Sequence, residues 1–90
     1  MSMYYVYVLR SKKDKDMYVG YTNNLRRRLG EHNDGKNFST APRRPFELIY
    51  YEAYTAEADA RRREKSLKLR GQARVHLISR LTASLLQAQN

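Results

Sequence analysis

Apolar and polar positions along this 90-residue chain change period several times, and each change marks an element. Residues 3–10, Met-Tyr-Tyr-Val-Tyr-Val-Leu-Arg, are dominated by β-branched and aromatic side chains and predict a strand. Tyr5, Tyr7 and Leu9 fall on one face, with Tyr4, Val6 and Val8 on the other. A strand apolar on both faces belongs at the centre of its sheet. Ser11 to Asp16 is a charged turn, and Met17 to Thr22 is a second short strand, so the pair predicts an antiparallel hairpin. Asn23 and Asn24 offer an N-cap to a helix over 24–33, with Leu25 and Leu29 on one face and Gly35 as its stop. A loop over 34–45 is punctuated by Gly35, Pro42 and Pro45.

Phe46 to Tyr54 predicts a third strand. Thr55 is the candidate cap of a second helix, with Glu57 and Asp59 near its positive end and Ala56, Ala60, Glu64 and Leu67 along one stripe. Gly71 breaks that helix. A last one over 72–87 places Val75, Ile78, Leu81 and Leu85 inward. The fold class that follows is α+β, an α/β sandwich: a three-stranded, mainly antiparallel sheet flanked by helices in the order β-β-α-β-α-α. The length suits one domain spanning 1–90 with a modest core.

Charge narrows the function. Eighteen Lys and Arg against nine Asp and Glu give a formal net charge of +9, a field that favours polyanions. It does not separate DNA from RNA, and an anionic membrane surface or a solvated basic face would fit it too. There is no Cys, so disulfides and thiolate metal sites are excluded. No basic leader precedes an apolar stretch and no apolar run nears bilayer length, so a soluble, cytoplasmic chain without membrane association is the expectation.

Several residues carry candidate chemistry. Arg28 and His32 are four apart on the first predicted helix and share a face, pairing a forked phosphate donor with a proton carrier. Arg26 and Arg27 point elsewhere, toward backbone phosphates or water. Glu64 faces inward on its stripe, which requires either a metal or an ion pair with Arg28 or a neighbouring arginine. Gly20 ends a strand, and either lets substrate or backbone approach closely or only turns the chain. Tyr7 and Tyr18 are either core side chains or phenols that bind phosphate or water, or that act as a base if their pKa is lowered. Tyr4, Tyr5, Tyr50, Tyr51, Tyr54 and His76 are expected to be structural. In the loop, Arg43 and Arg44 are candidate phosphate contacts and Phe38 a base-stacking group, or the loop is simply solvated.

Tyr5-Val6-Tyr7 and Tyr18-Val19-Gly20, followed by Asn24-Leu25-Arg26-Arg27-Arg28, resemble the two signatures and first helix of the GIY-YIG nuclease domain, and of its small stand-alone members in particular. The likeness covers roughly residues 4 to 70. It implies a metal-dependent DNA endonuclease with Tyr7, Tyr18, Arg28, His32 and Glu64 in the active site. Glu64 would bind Mg²⁺ or Mn²⁺, while Gly20, Arg26, Arg27, Arg43 and Arg44 would lie along the nucleic acid. One carboxylate plus waters suits those cations.

Two departures stand out. The excision-repair subunit UvrC carries a Lys after the second signature's Gly, where this chain has Tyr21, and the short group often has a Trp after the helix that bears the glutamate. Relatives that cut at chosen sites join this domain to a separate DNA-reading domain. Selectivity here is therefore expected from DNA structure, self-association or a protein partner, with no small-molecule cofactor and a role in repair or recombination. The alternatives are a non-catalytic nucleic-acid-binding module that kept the fold, and a basic ribosome-assembly factor.

Overall fold

The computed structural model describes residues 2–69 and 71–89, so Arg70, beside the position where a Trp was compared, lies outside the described residues. The elements are β1 (Tyr4–Ser11), β2 (Met17–Thr22), α1 (Leu25–Asn33), a 3-10 turn (Ala41–Arg43), β3 (Phe46–Tyr54), α2 (Glu57–Lys68), α3 (Gln72–Arg80) and α4 (Thr82–Gln89). The sheet order is β2-β1-β3, antiparallel throughout. The strand that is apolar on both faces is thus the central one.

Its alternation sorts the core into two layers. Val6 and Val8, with Val19, pack under Ala60 and Leu67 of α2, Leu77 of α3 and Leu81. Tyr7 and Leu9, with Phe46, pack against Leu25 and Leu29 of α1. A β-bulge between Val8 and Leu9 shifts the register with β3.

Helix α1 is delimited as its sequence predicts. The Asn24 side chain accepts from the Arg27 N–H at 3.1 Å. At the other end Lys36 N–H reaches the Glu31 carbonyl and Gly35 N–H reaches that of His32, with Gly35 at φ +76°. That paired closure needs a left-handed residue, and glycine adopts it without strain.

Three local expectations are corrected. Thr55 is not the cap of α2: Ala56 holds that position without a side-chain hydrogen bond, and Glu57 and Asp59 supply the negative charge to the first turn. The last helix is two helices. Ser79 Oγ donates to the His76 carbonyl at 2.7 Å and Thr82 Oγ1 donates to that of Ser79 at 3.2 Å, both drawing on the helical ladder, and the chain bends at Leu81. Val75 is 60% exposed, because the buried row follows the four-residue spacing Ala73, Leu77, Leu81 and Leu85. His76 is exposed, and its imidazole lies 3.2 Å from the Gln72 side-chain oxygen in its own helix.

Gly20 is the cross-strand partner of Tyr7. A Cβ at Gly20 would collide with the Tyr7 ring and hydroxyl, so the glycine makes room for a tyrosine within the sheet. Gly20→Ala should cost about 1–3 kcal/mol in urea denaturation. Most of that cost should vanish in a Tyr7→Leu background, because the two substitutions relieve one contact.

Candidate active site

Tyr7 enters the interior from β1 and is 1% exposed. Its hydroxyl lies 2.8 Å from His32 Nε2. His32, on the last turn of α1, is fully buried, and its Nδ1 lies 2.8 Å from Thr40 Oγ1. The Thr40 hydroxyl donates to the Asn37 carbonyl at 3.4 Å. Since a carbonyl only accepts, this assigns the direction of the whole chain. Thr40 accepts from His32 Nδ1–H, and His32 Nε2 accepts from Tyr7 O–H. Both ring nitrogens are therefore committed, and His32 is not positioned as a metal ligand.

Tyr18 closes the cluster, its ring centroid 5.0 Å from that of His32 and 6.4 Å from that of Tyr7. Arg28, one turn before His32, is close enough for its charge to favour ionisation of Tyr7, while the Tyr18 and Glu64 charges oppose it. Burial outweighs these and pushes Tyr7 up to about 12. Burial, reinforced by the Arg28 charge, holds His32 down to about 4. At neutral pH the pair is thus uncharged and holds the phenol proton between them.

Glu64 does not take the ion pair with Arg28. It pairs with Lys68 on its own helix at 2.9 Å and keeps a 19% exposed side chain. Arg28 is held by Glu31 at 3.1 Å. The more enclosed acid is Glu52, 14% exposed, which accepts from Arg63 at 2.9 Å and from the Tyr50 and Tyr54 hydroxyls. These donors keep its pKa low despite burial and fasten α2 to β3. Sequence periodicity did not single out Glu52; its signal was a Glu flanked by tyrosines at i−2 and i+2 in a strand. Arg63 is paired with Glu52, and Glu64 with Lys68.

Tyr21, Thr22 and Asn23 frame a cleft of about 310 Å³ with Arg27, Arg28 and Glu31 of α1 and Glu57 and Arg61 of α2. The Tyr21 hydroxyl donates to Glu57 at 2.7 Å, and the Arg61 guanidinium lies 4.2 Å from the Tyr21 ring centroid. A cation thus reaches this side of the sheet from α2, where UvrC carries a lysine beside the glycine.

The outer basic residues divide. Arg26 and Arg27 are exposed, and Arg27 bonds Asn23 at 3.3 Å. Arg44 is exposed, its guanidinium lying where a side chain at Gly35 would go. Arg43 is committed to the fold: it pairs with Asp14 at 2.6 Å, holding that carboxyl down to about 2, and lies 5.4 Å from the Phe46 ring centroid. Phe38 is 96% exposed. Among the described residues no group of three His, Cys, Asp or Glu side chains could hold a metal ion. A single, partly exposed carboxylate such as Glu64 is a donor set for a hard cation that keeps most of its waters.

The depressed His32 pKa has a definite sign. Between pH 6.5 and about 4 the unfolded chain binds a proton that the folded chain does not, so unfolding is favoured as pH falls through that window. Thermal melting should therefore weaken from pH 7 to pH 5, and His32→Gln should flatten that part of the profile.

The family model of the GIY-YIG catalytic domain matches residues 3–76. A UPF0213 protein from Staphylococcus haemolyticus is 41% identical over 69 residues, covering 76% of this chain and 83% of its own. One from Lactiplantibacillus plantarum is 41% identical over 73 residues, covering 78% and 71%. The solution NMR structure of a UPF0213 protein from Bacillus halodurans superposes with a TM-score of 0.55 at 32% identity, over 88% of this chain and 84% of that one. The chain belongs to the GIY-YIG catalytic domain family, in the small form it shares with these UPF0213 proteins.

Proposed function

We propose that the chain is an endonuclease that hydrolyses DNA phosphodiester bonds with one divalent cation, Mg²⁺ or Mn²⁺. The observation that supports this reading is the packing of Tyr7, Tyr18 and His32 into one cluster, with Arg28 and Glu64 near enough for their charges to bear on the Tyr7 phenol and a hydrogen-bonded chain running from that phenol through His32 to Thr40. Nucleic-acid binding alone would not call for a buried, directed proton chain.

Glu64 would hold the cation, which when bound supplies Lewis-acid polarisation of the phosphate. Arg28 would exchange Glu31 for a phosphate oxygen and offset charge developing on the phosphoryl group. That exchange bears on the base. The Arg28 charge is one cause of the low His32 pKa, so a phosphate anion on Arg28 would raise it. Tyr7 oxygen could then take a proton from the attacking water while passing its own to His32 Nε2. In the free protein both groups are poised against this transfer, so the relay switches on with substrate. Tyr18, packed on the imidazole, would orient the water or the phosphate. Arg26, Arg27, Arg44 and Arg61 would contact flanking phosphates, and Gly20 serves by admitting Tyr7. Structure-selective cutting in repair or recombination, in the cytoplasm and with or without a protein partner, fits the reading.

The test is Mg²⁺- and Mn²⁺-dependent cleavage of duplex, nicked, flap, four-way-junction and single-stranded DNA, with variants purified identically. Wild type should cut, and Tyr7→Phe and Glu64→Ala should each lose about 10²-fold or more. Equal cutting by all three would mark a contaminant. No cutting on any substrate, with salt-sensitive binding intact, would turn the assignment to a non-catalytic binding module.

A further inference from the structure

The flank of α1 opposite the cleft holds a second concavity, about 340 Å³, which the proposed chemistry does not use. Leu25, Leu29 and Leu48 line it, Tyr5 and Tyr51 form its aromatic wall, and Arg26 stands at the rim. Both tyrosines were expected to be structural, yet Tyr51 is 52% exposed. Their rings meet edge to face, with centroids 6.0 Å apart. Among the described residues neither phenol oxygen has a hydrogen-bond partner, whereas the hydroxyls of Tyr7, Tyr21, Tyr50 and Tyr54 are engaged.

We propose that this groove is a second nucleic-acid subsite, taking an unpaired nucleobase of the strand whose backbone lies in the Arg28 cleft. A single exposed tyrosine would be ordinary surface. Four observations together make this one a platform. It is concave and apolar, and it presents two aromatic rings. It is rimmed by a cation in a chain of net charge +9. It also shares a sheet face with the reacting group, because Tyr5 is two residues from Tyr7 on β1 and Tyr51 is the cross-strand partner of Tyr7.

The route between the two sites is basic. Arg26 borders the groove, Arg27 and Arg28 border the cleft, and the exposed N-terminal end of α1 lies between them. A strand rounding that end meets arginines on both flanks and the positive end of the helix dipole. Stacking on the platform requires a base free of its partner, so the groove favours single-stranded or frayed substrate over continuous duplex.

The inference rests on the nuclease reading for what occupies the cleft, but its test needs no cutting. Binding would be measured in EDTA with a single-stranded oligonucleotide carrying 2-aminopurine and with the blunt duplex of the same sequence. Tyr51→Ala should weaken single-strand binding about 5- to 150-fold and restore the 2-aminopurine fluorescence that wild type quenches, with duplex affinity unchanged. Tyr51→Phe should bind the single strand as wild type does. Arg26→Ala should lower the single-strand salt slope by about 0.7, which Tyr51→Ala should leave alone. Single-strand affinity untouched by Tyr51→Ala, as a protein-docking role for the groove would give, overturns the proposal. So does an equal loss on both substrates, or a loss that Tyr51→Phe shares. Stacking lost in Tyr51→Ala without metal-dependent cutting by wild type would overturn the hydrolytic reading and leave this one standing.

Discussion

The hydrogen bond between Tyr7 and His32 joins the three parts of the molecule that make the site. Tyr7 belongs to the central strand, His32 to the end of α1, and Thr40, the next member, to the loop before β3. None of the three tolerates loss of its partner cheaply, because all are buried and a buried polar group left unpaired costs about 1–3 kcal/mol. The bond requires the Tyr7 ring to lie over Gly20, which explains a glycine in the middle of β2. It also requires α1 to stop just after His32, where Gly35 at positive φ closes the helix. Local features distant in sequence therefore serve one contact.

Ion pairs divide into those that join two elements and those that lie within one helix. Glu52 and Arg63 neutralise each other between β3 and α2, with two tyrosine hydroxyls completing the carboxylate's partners. Asp14 and Arg43 do the same between the hairpin turn and the loop. Other pairs lie within single helices: Arg28 with Glu31, Glu64 with Lys68, Arg61 with Glu57. Exposed pairs of this kind contribute about 0–1 kcal/mol each, so a phosphate or a cation can displace them.

Much of this was legible in the sequence. Two-sided apolar character placed β1 at the sheet centre, and the capping residues of α1 bounded that helix correctly. The motif spacing brought Tyr7, Tyr18, Arg28, His32 and Glu64 into view. Thr55 lost its capping role because acids one turn on could supply the charge, and the last helix bent where Ser79 and Thr82 drew on its carbonyls. Periodicity identifies a face but not its neighbour, so Glu64 was read as inward while Glu52 was passed over. Tyr51 was expected to be structural, but alternation cannot tell which residues of a face a helix covers; Tyr7 is buried and its cross-strand partner Tyr51 is half exposed. Nor could sequence show that the loop reaches the active site through Thr40, since that contact depends on the tertiary fold alone.

The direction of the Tyr7–His32–Thr40 chain is the claim on which the account turns, and the imidazole nitrogens of His32 report it directly. Nitrogen-15 NMR of the labelled protein, followed from pH 8 to pH 5, resolves tautomer and titration together. The account predicts a protonated Nδ1, an unprotonated Nε2 and no titration across that range. A proton on Nε2, or a midpoint near the ordinary histidine value of about 6.5, would contradict it.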